Sequence, residues 1–125
     1  MTSNPVEYSM GNEVIRSYID TVKGGATLDT TGYTPDTIKA GHVIIKVTDN
    51  GKDIYKPMPL SGEAYDSLPA NHVYVGINIH DIPTDEPFAA VLTIGEVNDK
   101  LVPYPMDSIM SAFKSAVPTI NWAHD

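Results

Sequence analysis

The dipeptide Asn50-Gly51 restricts the folding of this chain more than any other feature. It stands between two β-rich runs, Val43 to Thr48 and Asp53 to Lys56, in "HVIIKVTDNGKDIYKPMPL". A two-residue hairpin loop that matches the right-handed twist of its strands needs positive φ at both positions, which Asn-Gly tolerates unusually well. The segment is therefore predicted to be a tight β-hairpin. Pro57 and Pro59 end its second strand or hold it at a sheet edge, because proline cannot donate to a ladder. "DNGKD" echoes a calcium-binding loop but lacks that loop's ligand order and terminal glutamate, so it reads as a hairpin turn.

The same punctuation recurs along the chain. Ten Pro and nine Gly among 125 residues fall between short β-branched and aromatic runs, the pattern of many short strands joined by turns. This length holds one core and is too short for two. "HVYVGINIHDI" alternates Val73, Val75, Ile77 and Ile79 against Tyr74, Gly76, Asn78 and His80, which predicts a strand with one face buried. In "FAAVLTIGEVNDKLVPYP" Phe88, Ala90, Leu92 and Ile94 alternate again. There "EVND" is expected to be a polar turn, with Gly95 bending the chain, and Leu101-Val102 a short strand.

Three segments carry helix signals. Thr34 can cap one helical turn with Pro35 in first position and Gly41 closing it. "SGEAYDSLPAN" can form a short helix capped by Ser61 and stopped before Pro69. "PMDSIMSAFKSAV" is the strongest, with Met106, Ile109, Met110 and Phe113 at helical spacing, Pro105 leading and Pro118 ending it. Asp107 falls in its first turn, facing the positive end of the dipole. "TINW" reads as a closing strand. The expected architecture is mainly β: a small single-domain β-barrel or β-sandwich-like body with one or two short helices.

Residues 1–37 differ from the body at 38–125, being rich in Thr, Ser, Gly and Asp and poor in core-forming side chains. They are expected to form an extended N-terminal arm. Within it Val14, Ile15, Tyr18, Ile19 and Val22 fit a helical stripe, while Ile15, Ser17, Ile19 and Thr21 fit one face of a strand. The β-branched content and the following Gly24-Gly25 favour the extended form.

The net charge of −8 repels phosphate backbones, and with no run of Lys or Arg neither nucleic acid nor an anionic membrane is an expected partner. The absence of cysteine excludes disulfides, thiolate metal sites and cysteine nucleophiles. His42, His72, His80 and His124 show no metal-ligand spacing. "HDIPTDE" gathers His80, Asp81, Asp85 and Glu86 and reads as a solvated turn rather than a cation site. Ser61 lacks a nucleophile elbow, and Gly24-Gly25 lacks the Lys-Ser/Thr of a phosphate loop. Glu96, Asp99 and Asp107 could pair as acid and base, but among 16 acidic residues such proximity is expected by chance. No catalytic residue, cofactor or metal is expected, and the chain reads as a binder rather than an enzyme. A small-ligand-binding β-module is an alternative, with polar groups converging around His80, Asp81 or Glu96.

"IKAGHVIIK", the hairpin, "YVGI", "AAVLTIGEVND", a proline-led helix and a final strand follow one another in an order that resembles the lambda-type head decoration proteins of tailed bacteriophages. The likeness spans residues 38 to 122. The insert "LSGEAYDSLPANH" and an arm richer in large apolar residues depart from that pattern. The resemblance implies a small all-β, β-tulip-like fold. It also implies a homotrimer that sits on the outer surface of an expanded icosahedral capsid in the virion, assembles there in the host cytoplasm, and stabilises the shell as a cement protein. The major capsid protein would be the partner. An apolar arm can add as a strand to an exposed sheet edge of that partner, so Val14, Ile15, Tyr18, Ile19, Val22, Thr27 and Leu28 are the expected capsid contacts. The base domain of a head fibre or a tail component is the alternative.

Overall fold

The computed structural model describes residues 14–124. Its strands are β1 (Ile15–Thr21), β2 (Ala26–Thr27), β3 (Thr37–Ile38), β4 (Val43–Asp49), β5 (Lys52–Pro57), β6 (Leu60–Ser61) and β7 (Ala64–Tyr65). They continue with β8 (His72–Asn78), β9 (Ile82–Pro83), β10 (Phe88–Ala89) and β11 (Val91–Asn98); helix α1 (Met110–Ala116) and strand β12 (Ile120–Ala123) complete the described chain. The protein is mainly β, and its main sheet stays open rather than closing into a barrel.

Six strands build that sheet in the order β1-β11-β8-β4-β5, with β12 added to β11. The β4–β5 pair is the predicted hairpin, with Asn50 at φ 52 and Gly51 at φ 79 in its loop. β11 is paired along both edges. β1 runs antiparallel to it over Leu92 to Val97, while β8 takes the opposite edge at Val91 and Leu92. β12 replaces β8 on that opposite edge and runs parallel to β11 from Gly95 to Asn98.

The two faces of the sheet carry separate apolar clusters, giving a sandwich-like arrangement. On one face Val43, Ile45, Ile77, Leu92 and Val97 pack against Tyr65 of β7 and against Ile109, Phe113 and Val117 around α1. On the other, Ile44 and Val91 pack against Ala26, Ile38 and Ala89. Those last residues lie in two small ribbons, β2–β10 and β3–β9. Both faces are buried because no single small layer could cover the apolar surface of six strands.

Several local expectations change for this reason. Alternation placed Val73, Val75, Ile77 and Ile79 on one buried face, yet Val73 is 50% exposed and Tyr74 is buried. In the β4–β8 ladder Ile44 opposes Gly76 while the next residue, Ile45, opposes Tyr74. That bulge inserts one residue into β8 and reverses the facing of everything beyond it. Phe88 likewise is 61% exposed although it was expected to share a face with Leu92.

The predicted helical turn at Thr34-Pro35 does not form; Pro35-Asp36 is a bend that leads into β3. Thr84 fixes it from outside, its Oγ1–H donating to the Pro35 carbonyl at 2.6 Å and its N–H to that of Asp36 at 2.8 Å. The predicted helix at Ser61 is the β6–β7 hairpin, whose loop holds Gly62 at φ 66. Its far strand is anchored by the Tyr65 hydroxyl, which accepts the Val43 N–H at 3.1 Å. The third helix forms, but begins at Met110 after a turn containing Asp107. Leu101-Val102 makes no strand. Of the "EVND" turn, Glu96, Val97 and Asn98 belong to β11, and the chain turns at Asp99-Lys100 with the Asn98 Oδ1 accepting the Lys100 N–H at 2.9 Å.

Candidate binding surface

β1 holds three of the seven predicted contact residues, Ile15, Tyr18 and Ile19, and Val14 and Val22 flank it. It forms one edge of the main sheet and pairs only with β11 among the described residues. Its ladder is irregular: Tyr18 opposes Gly95 and Asp20 opposes Ile94, so Ile19 has no partner residue. Tyr18 is 65% and Ile19 76% exposed. An edge strand that shows two large apolar side chains to water is a template for another chain.

The rest of β1 is tied down. Gly95 does not bend the chain; it lies inside β11, where a Cβ would collide with the Ser17 carbonyl oxygen. The missing side chain is what lets β1 lie close against β11. Arg16 Nε stands 3.7 Å from Glu96 Oε2, and the Val14 carbonyl accepts the Asn98 N–H at 2.7 Å. The Val14 side chain packs over Gly41, which sits at φ +93 and has no room for a Cβ.

The seven predicted contact residues therefore separate. Tyr18, Ile19 and Thr27 are exposed. Val14, Ile15 and Val22 are half-buried, with Val14 and Ile15 against the helix-side cluster and Val22 against the other. Leu28 is buried at 4% exposure and bridges in parallel to Tyr55. Phe88 was missed as a surface residue. It pairs with Thr27, and its ring covers Gly25. The only hint was its place beside Pro87, just after the turn "PTDE".

The candidate chemical groups take structural partners. Glu96 faces Arg16. Asp99 Oδ1 lies 2.7 Å from His124 Nδ1, and this hydrogen bond holds the Asp99 carboxyl below the usual range. Asp81 Oδ1 accepts the Ala40 N–H at 2.7 Å. Among the described residues no three His, Cys, Asp or Glu side chains come together as a metal site would require.

A second polar assembly lies inside. His42 is fully buried, and its Nε2–H donates to the Met58 carbonyl at 2.8 Å. Tyr33, Tyr65 and Tyr104 meet its ring edge to face at centroid distances of 5.5, 5.3 and 5.6 Å. Burial pushes the His42 pKa down to about 4, against a smaller opposing effect of the Met58 bond, so the ring is neutral at pH 7. Burial likewise raises the Tyr33 and Tyr65 hydroxyls. This node joins strand β7 and the loops that precede β3, β6 and α1 to the start of β4.

Compared with known proteins, the chain matches no family model, no curated protein and no solved structure.

Proposed function

We propose that the protein is a capsid decoration protein that binds the outside of an expanded icosahedral shell and stabilises it. The observation that carries this reading is the exposure of Tyr18 and Ile19 at the centre of β1, an edge strand whose one strand partner among the described residues is β11. Such an edge accepts a strand or loop of a capsid subunit by main-chain hydrogen bonds, and the two side chains supply apolar contact. The ordered motifs over residues 38 to 122 support the same assignment, as does a charge of −8, which suits an outer face turned away from packaged DNA.

In this reading three copies act together as a homotrimer. Each β1 edge makes a modest contact, and linking three of them raises the avidity of the assembly. A protein that binds only the expanded shell stabilises that form by mass action.

The test is co-sedimentation with expanded icosahedral heads assembled from a tailed-phage major capsid protein. Tyr18→Ser with Ile19→Asp is expected to abolish co-sedimentation while leaving the far-UV circular dichroism unchanged. Deleting residues 1–30 would be a poor substitute, because it also removes β1 and Leu28 from the folded body. Undiminished head binding by the folded double variant would exclude the β1 edge as the contact.

A further inference from the structure

Away from β1 the surface holds a concavity of about 420 Å³, set between the loop that follows β2, strand β5 and the β6–β7 hairpin. That volume lies within the range of pockets that enclose small molecules. Most of its apolar wall is made of rings, Tyr33 with Pro35, Pro57, Pro59 and Pro69, and Ile45 and Leu60 complete it. Each proline has its φ locked, so this wall loses little freedom on binding. Tyr33 is held in place as well, edge to face on His42 at 5.5 Å.

The polar side chains around the cavity are Asp29, Thr31, Thr34, Lys56 and His72, the last with its Nδ1–H donating to the Ala70 carbonyl at 2.8 Å. The Thr31 Oγ1–H and N–H donate to Asp29 Oδ1 at 2.7 and 3.0 Å, which fixes the carboxylate and leaves Oδ2 as an acceptor. Lys56 supplies N–H donors, and its charge also acts on Asp29. Asp29 and Lys56 set one anion and one cation side by side on the rim, although the whole chain carries −8. A charged ligand meets an opposing charge there for every favourable one. An uncharged ligand that offers both C–H faces and hydroxyl groups meets none of that penalty.

We propose that this cavity binds a neutral saccharide of one or two rings. Its C–H face would lie on the Tyr33 and proline rings, and its hydroxyls would donate to Asp29 Oδ2 and accept from Lys56 Nζ. The proposal is independent of head binding, since none of these residues lies in β1.

The test is an NMR titration of the ¹⁵N-labelled full chain with maltose, lactose and chitobiose, each in the millimolar range. At least one sugar is expected to give saturable amide shifts confined to residues 29–35 and 56–60. Lys56→Met and Thr34→Val, both at solvent-accessible positions, should each weaken that binding at least fivefold while head co-sedimentation stays unchanged. Three results would overturn the proposal: no saturable shift with any of the three sugars, equal binding by both variants, or saturation by phenol or a proline-rich peptide with none by the sugars.

Discussion

The main sheet ends in two strands, β5 and β1, and they are finished differently. β5 is blunted. Asp53 accepts from Thr48 Oγ1–H at 2.7 Å and pairs with Lys46 at 3.4 Å. Further along, the Asp29 N–H covers the Tyr55 carbonyl at 2.8 Å, and Pro57 closes the strand without a donor. Charges, a proline and a covering loop are the usual protections against edge-to-edge association. β1 has charges too, in Arg16 and Asp20, but its centre presents Tyr18 and Ile19 to water. Among the described residues one edge is covered and charged, and the other shows two large apolar side chains to water.

The strongest way to break the comparison is to detach β1. Gly95→Val places a side chain where the Ser17 carbonyl lies, and should cost about 3 kcal/mol in urea denaturation by overpacking. Hydrogen exchange should then rise selectively over residues 15–21, with the β4–β5 hairpin still protected.

Acid should act on the opposite side of the sheet. The His42 pKa is held at about 4, below its ordinary 6.5. Protonation therefore favours the unfolded chain: the contribution is complete above pH 6.5 and is lost as pH falls from 6.5 toward 4. That shift corresponds to about 3 kcal/mol at most. Denaturation midpoints measured across this window should fall in the native chain and stay nearly level in His42→Gln, whose amide can still donate to the Met58 carbonyl.

Smaller effects sharpen the contrast between the edges. Ile19→Thr should change stability by less than about 0.5 kcal/mol, because the side chain packs on little, yet reduce head binding about tenfold. Asp53→Asn, on the β5 edge, should leave head binding at its native value in the same co-sedimentation assay. Equal losses from Ile19→Thr and Asp53→Asn would mean that the two edges are functionally alike.

Legibility followed the range of the interactions. The Asn50-Gly51 hairpin and the closing strand at Ile120–Ala123 could be read directly, because their determinants lie within a few residues. The Ser61 helix failed because a serine capping signal competes with Gly62 at φ 66, and Tyr65, anchored by its hydroxyl to Val43 in β4, decided for the hairpin. The seven predicted contact residues include the exposed pair Tyr18 and Ile19, but also Leu28, whose burial depends on a bridge to Tyr55. Nothing near Leu28 in sequence announces that bridge.

The chain by itself determined a mainly β domain with a fixed hairpin and a short late helix, since turn chemistry and apolar period are local properties. Only the tertiary structure decided which faces are buried. A bulge opposite Ile44 and Ile45 reversed the facing of β8, and ribbons from distant segments covered the second face of the sheet. It also decided that Gly95 permits close strand approach rather than a bend, because the atom that excludes a side chain there belongs to Ser17, 78 residues earlier in the chain.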